Sequence, residues 1–201
     1  MKTFKIHLIR HGLTDANILG KYIGSRTDLP LSPEGVDELR SLRESIDYPK
    51  IEKLYSSPML RCKQTAGVLY PDMDVTVVDE LTEYDFGEFE GKTAAQLEGL
   101  PSYNEWTSGK ITAPPGGEQT SDFIKRLCLG LNEIVRDMMQ SGVTNAAVMM
   151  HGGAIMMLLA ACAVPRRRSV EWTSENGRGY SLLITPSLYH SSGIVEVYDI
   201  I

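Results

Sequence analysis

Two stretches of the chain share one arrangement, an apolar run that stops at a histidine and then a glycine. In the first, Phe4-Lys5-Ile6-His7-Leu8-Ile9 leads into Arg10-His11-Gly12; in the second, Ala146-Ala147-Val148-Met149-Met150 leads into His151-Gly152-Gly153. Each run suits a buried strand, and a glycine directly after it lets the backbone turn sharply. Arg10, His11 and His151 are therefore expected at the carboxyl ends of strands, the edge where ligands bind in open α/β sheets. One Arg-His-Gly triplet carries little weight, because a lone histidine beside a strand is more often structural than catalytic. Two such junctions in one small domain put two imidazoles on the same edge of one sheet.

The rest of the chain alternates strand and helix. A short helix is expected over residues 14–19, and residues 20–31, rich in glycine and polar residues without period, form a loop that could roof a pocket. Ser32-Pro33 is a helix start, followed by the apolar face Val36, Leu39, Leu42 and Ile46. Leu54-Tyr55-Ser56 is a short strand, and Ser57-Pro58 repeats the capping signature before a helix whose Met59, Cys62, Ala66 and Leu69 face the core. Residues 74–78 form another strand, 80–91 a structured acidic and aromatic loop, and 93–99 a short helix. Residues 100–117, ending in Ala113-Pro114-Pro115-Gly116-Gly117, are expected as a loop, either a lid or a simple connection.

A long amphipathic helix over 118–140 carries the stripe Phe123, Leu127, Leu131, Ile134 and Met138. The helix over 152–162 is apolar enough to be buried, with its methionines as packing. Residues 180–186 and 194–198 are expected to pair as a hairpin at the sheet edge. The whole predicts an α/β fold with a largely parallel sheet, in a single domain spanning 1–201.

A formal charge of −6 argues against nucleic acid or an anionic membrane as the general partner, so any anion must be caught by a local positive cluster. The three cysteines, Cys62, Cys128 and Cys162, are widely spaced and form no metal or disulfide framework. With no membrane-length apolar segment and no leader-like run at residues 1–7, a cytoplasmic protein is expected. Arg166-Arg167-Arg168 is taken as solvated surface. Arg61 stands apart, since a cation in the first turn of a helix opposes the macrodipole and invites an anionic partner.

Four segments together resemble the histidine phosphatase superfamily, also called phosphoglycerate-mutase-like. They are Leu8-Ile9-Arg10-His11-Gly12-x-Thr14-x-x-Asn17, Ser56-Ser57-Pro58-x-x-Arg61-Cys62-x-Gln64-Thr65-Ala66, Leu81-x-Glu83-x-x-x-Gly87-x-x-x-Gly91, and His151-Gly152. The resemblance implies a three-layer fold, a mostly parallel central sheet flanked by helices. It also implies that His11 is a nucleophile forming a phosphohistidine, that Arg10, Arg61 and His151 surround the phosphoryl oxygens, and that Glu83 donates a proton to the leaving oxygen. Asn17, Gly12 and Gly152 would contact substrate, with Ile23, Gly24 and Tyr84 on the side facing the rest of it. Tyr22, Phe86 and Trp106 could complete an apolar wall. No metal or cofactor is needed for such chemistry. It predicts a bell-shaped pH dependence, with His11 unprotonated and Glu83 protonated.

The family holds phosphatases and mutases. Here Glu83 is followed by Tyr84-Asp85-Phe86 rather than arginine, and the segment from Gly91 to Pro114 is short, so the parts that retain a phosphorylated intermediate in a mutase are missing. A phosphatase of a small phosphorylated metabolite is preferred, of the α-ribazole phosphatase or broad-specificity sugar phosphatase kind; a phosphoglycerate mutase and a catalytically silent phospholigand-binding relative are the alternatives. Oligomeric state is open between monomer and homodimer.

Overall fold

The computed structural model describes residues 3–201. Met1 and Lys2, part of the stretch read above for a leader, lie outside the described residues. In chain order the elements are β1 (Phe4–Arg10), α1 (Asp15–Ile18), α2 (Pro33–Ser45), β2 (Lys53–Ser56), α3 (Leu60–Leu69) and β3 (Val75–Val77). Two 3-10 turns follow, at Asp79–Leu81 and Gly87–Phe89, then α4 (Ala94–Leu97), α5 (Pro101–Thr107) and α6 (Thr120–Ser141). The chain closes with β4 (Asn145–Met150), α7 (Gly152–Cys162), β5 (Ala163–Val164), β6 (Gly179–Ile184), α8 (Pro186–Ser192) and β7 (Val195–Ile200).

One seven-stranded sheet runs in the order β3-β2-β4-β1-β6-β7-β5. The pairs β2/β3, β2/β4, β1/β4 and β5/β7 are parallel, while β1/β6 and β6/β7 are antiparallel. The sheet is thus mostly parallel. Alternation along the strands sends side chains to two cores. Ile6, Leu8, Val148 and Met150 pack with α6 and α7 on one face, where the predicted stripe of α6 is buried. Ile9, Leu54, Ala147 and Met149 pack with Leu39 of α2 and Cys62, Ala66 and Leu69 of α3 on the other. Helix, sheet and helix are the three layers. Each fully buried Leu or Phe in them contributes about 1.5 to 3 kcal/mol.

Local signals set most boundaries. The Ser32 hydroxyl accepts from the Gly35 amide at 3.0 Å with Pro33 behind it, as the capping signature requires. Gly142 ends α6 in the left-handed region at φ 77°, which favours glycine.

Three expectations need correction. Ser57-Pro58 does not cap α3: the helix starts at Leu60, and Ser57 bonds to His151 instead. Residues 100–117 are not all loop, because Pro101 opens α5 and Tyr103 anchors it in a small hydrophobic cluster with Phe89 and Leu97. The last two strands do pair antiparallel, but helix α8 joins them rather than a tight turn, and β5 forms the edge beyond β7. Among the described residues no helix is long and apolar enough to cross a membrane.

Candidate active site

The two strand-to-histidine junctions meet because β1 and β4 are parallel neighbours in register, Arg10 opposite Met150. The ladder continues one step beyond, the His11 amide donating to the Met150 carbonyl at 2.9 Å. His11 and His151 therefore emerge side by side, ring centroids 5.3 Å apart at 64°. β2 lies on the other side of β4 and delivers Ser57, whose amide donates to the Met149 carbonyl at 2.9 Å. The helix that follows brings Arg61, which is 1% exposed, under the same edge.

Hydrogen bonds fix the imidazoles. His11 Nδ1 lies 2.7 Å from the Gly12 carbonyl, an acceptor, so Nδ1 carries the proton and Nε2 keeps its lone pair. Burial first, then the charges of Arg61 and Arg10, push the His11 pKa down to about 3. The ring is a neutral base with one free nitrogen. His151 Nδ1 accepts from Arg61 Nε at 3.3 Å, which leaves Nε2 to donate to Ser57 Oγ at 2.8 Å. Both His151 nitrogens are thus held by protein groups, and the ring orients Arg61. Burial and the neighbouring cations hold His151 well below the ordinary histidine range.

Two guanidinium groups face this pair. Arg61 donates to the Thr27 carbonyl at 3.1 Å and the Gly24 carbonyl at 3.3 Å. Arg10 donates from Nη1 to the Ser174 carbonyl at 2.6 Å, and its buried Nε has no hydrogen-bond partner. Neither arginine is in an ion pair with a carboxylate among the described residues. A buried cation without a counter-ion is costly unless an anion is to be bound there.

Glu83 closes the site from the loop after β3. Its Oε1 accepts from the Tyr84 amide at 2.8 Å and its Oε2 from the Gly153 amide at 3.1 Å, at the start of α7. Those bonds and the arginines favour the carboxylate, but burial outweighs them and raises the Glu83 pKa. Arg126 of α6 sets the loop by donating to the carbonyls of Glu80, Thr82 and Glu83 while pairing with Glu118.

The other residues expected to contact substrate have partners within the protein. Gly12 is small for packing, since a Cβ there would meet Leu39 Cδ1 at 2.6 Å, and its carbonyl serves His11. At Gly152 a Cβ would sit 3.1 Å from Arg10 Nε, so this glycine leaves room for the arginine. Asn17 caps α1, its Oδ1 accepting from the Thr14 amide and hydroxyl at 3.1 and 3.0 Å. Gly24 lies so close to Tyr84 that a Cβ would fall 2.0 Å from its carbonyl oxygen, and Ile23 beside it is half-buried. Tyr84 lines an apolar cavity with Tyr22, Phe86 and Trp106, where Met156 and Met157 also stand, so those methionines are cavity wall as well as packing. Cys62 is core, and burial pushes its thiol up, away from the thiolate.

Sequence reasoning missed the residues that hold this edge from outside: Ser57, Gly153, Arg126, and the turn 174–178. In that turn Asn176 donates to the His11 carbonyl at 2.7 Å, and the Gly177 amide to the Arg10 carbonyl at 2.9 Å. Asn176-Gly177 signals a turn, but nothing in it points to β1.

Three buried histidines, His7, His11 and His151, all have pKa values lowered from 6.5 by burial. A histidine depressed in the folded state contributes stability that is full above about pH 6.5 and is lost as pH falls towards the folded value. Glu83, raised, works in the opposite sense. Denaturant unfolding between pH 5 and 6.5 is expected to show stability falling with acid by roughly 1 to 3 kcal/mol per pH unit. A flat profile there would mean that these rings are not held neutral.

Residues 6–186 match the histidine phosphatase superfamily, branch 1. The chain is 33% identical over 157 residues to a candidate phosphoserine phosphatase 2 of Hydrogenobacter thermophilus, covering 75% of this chain and 74% of that one. It is 27% identical over 161 residues to the adenosylcobalamin/alpha-ribazole phosphatase of Salmonella typhimurium, covering 78% of each. The crystal structure of phosphoglycerate mutase from Bacillus anthracis shares the fold, with a TM-score of 0.77 at 22% identity over 98% of this chain and 92% of the other. The neighbouring histidines, the unpaired arginines and the buried carboxyl thus lie inside a matched span that covers most of the protein, and the chain belongs to the histidine phosphatase superfamily.

Proposed function

We propose that this protein hydrolyses the phosphomonoester of a small metabolite through a phosphohistidine on His11, without a metal ion. The observation that carries this reading is the pair of guanidinium groups, Arg10 and Arg61, held beside the neutral His11 with no carboxylate paired to either. Fixed cations of this kind stabilise charge on phosphoryl oxygens in the transition state, and positioning together with such stabilisation supplies nearly all of the catalysis in phosphoryl transfer.

In the first step the Nε2 lone pair attacks phosphorus in line. The P–O bond to the alcohol breaks, and Glu83 gives its proton to the departing oxygen. In the second, water attacks the same phosphorus and gives a proton to Glu83, the P–N bond breaks, and phosphate leaves. The Gly12 carbonyl accepts from Nδ1 throughout and stabilises the positive charge that the ring carries while phosphorylated.

The experiment is phosphate release from small phosphomonoesters in the presence of a chelator, with rapid alkaline quench to trap labelled enzyme. Phosphate and an alkali-stable label on His11 are expected. Formation of 2-phosphoglycerate from 3-phosphoglycerate, faster than phosphate release, would identify a mutase instead.

The pH dependence departs from a simple bell. His11 near 3 stays unprotonated through the physiological range, so the free enzyme's acid limb lies far below pH 6. The alkaline limb comes from Glu83 losing its proton. In kcat/KM, which reports formation of the phosphoenzyme and not its hydrolysis, Glu83→Gln is expected to slow alkyl phosphates by about 10² to 10⁴-fold, nitrophenyl phosphate by less than about tenfold, and to abolish the alkaline limb. An equal loss in kcat/KM for both ester types would show that Glu83 does not protonate the leaving oxygen.

A further inference from the structure

Beside Glu83 lies a cavity of about 300 Å³ walled by Tyr22, Tyr84, Phe86, Trp106, Met156 and Met157. It adjoins the acid directly: Gly153 lines it, and the amides that hold the Glu83 carboxyl are those of Gly153 and Tyr84. An alcohol that receives the Glu83 proton has this space beside it.

The walls specify what that alcohol is. No charged residue lines the cavity. Two cations beside these walls are already committed, Arg26 to Asp85 and Arg126 of α6 to Glu118, both at 2.8 Å. A second anionic group on the substrate would be desolvated there without a partner. The hydroxyls of the wall are engaged as well. Tyr84 donates to the Glu118 carbonyl at 2.6 Å, Thr120 to the Thr112 carbonyl at 2.8 Å, and Tyr22 pairs with the Tyr103 hydroxyl at 2.8 Å. A polyhydroxylated leaving group would therefore give up its hydrogen bonds to water with few in return. Aromatic faces and thioethers, by contrast, suit a flat apolar ring.

Resting on the hydrolase reading above, we infer that the substrate is a phosphomonoester of an uncharged alcohol bearing an aromatic ring system, which occupies this cavity. Sugar phosphates and phosphorylated carboxylic acids are then poor substrates.

The test compares kcat/KM for 2-naphthylmethyl phosphate, glycerol 1-phosphate and 3-phosphoglycerate, whose alcohols are similar in basicity. The naphthyl ester is expected to exceed glycerol phosphate by about 30-fold or more, with 3-phosphoglycerate lowest. Trp106→Ala should reduce the naphthyl-to-glycerol ratio by about tenfold. Met157→Lys should raise 3-phosphoglycerate relative to the naphthyl ester. These are ratios within one preparation, so partial misfolding of a variant does not alter them. A wild-type ratio near one, with both esters hydrolysed, would overturn the inference and leave the hydrolase reading intact. Ratios unmoved by both substitutions would likewise overturn it. No phosphate from any ester would overturn the hydrolase reading and this assignment together.

Discussion

Replacing His11 with alanine is expected to lower phosphate release by about 10⁵-fold and to abolish the labelled phosphoenzyme. The size follows from what is lost. Without Nε2 there is no acceptor for the phosphoryl group, and water would have to attack in a site shaped to hold a histidine in that position. Arg10 and Arg61 remain, so the variant should still bind phosphate. Its fold should change little, because the His11 side chain makes one hydrogen bond, to the carbonyl of the next residue. Loss of that bond and a small cavity are expected to cost about 1 to 3 kcal/mol. Phosphate release within tenfold of wild type would assign the nucleophile elsewhere.

Arg61→Met comes next in size, with an expected loss of about 10³-fold or more in kcat/KM. The side chain is fully buried and orients nothing but the site and the loop above it, through His151, Thr27 and Gly24. Its effect on stability should be far smaller than its effect on rate. Removing a buried charge that no carboxylate neutralises offsets the lost hydrogen bonds, leaving a net change within about 2 kcal/mol. Two further readouts separate an electrostatic role from a structural one. Stabilisation of the wild-type fold by added phosphate should vanish in the variant. The His151 ring, freed of the Arg61 charge that helps to hold its pKa down, should titrate closer to its ordinary value by NMR. A variant that keeps phosphate stabilisation and loses only rate would point to a role confined to the transition state.

The parts of this architecture legible in the sequence were those written in local pattern. The apolar runs of residues 4–9 and 146–150, the stripe of α6 and the Ser32-Pro33 cap each name their own structure, and four short motifs name the family. What the sequence concealed is long-range. Ser57 reads as a helix cap because its neighbours Pro58 and Met59 look like a first turn, yet its partner lies 94 residues away in His151. Asn176 looks like any turn residue until the turn is seen folded over the end of β1. Helix α5 escaped because its support is a hydrophobic cluster gathered from Phe89, Leu97 and Tyr103. The sequence marks two glycines as special by their place directly after a histidine at a strand end. Gly12 and Gly152 make room for Leu39 and Arg10, which only the packed structure displays.

The register of β1 against β4 has a consequence for how such a protein can change. The spacing of the two histidines is set by ladder hydrogen bonds in the middle of the sheet, with the turn at Asn176 and Gly177 bonded over the end of β1. The apolar wall, by contrast, comes largely from peripheral segments around Tyr22, Phe86 and Trp106. The histidine pair and the part of the wall around Tyr22 and Trp106 are thereby built from separate stretches of chain. Chimeras that exchange the peripheral stretches between relatives should inherit the donor's preference while running the recipient's chemistry.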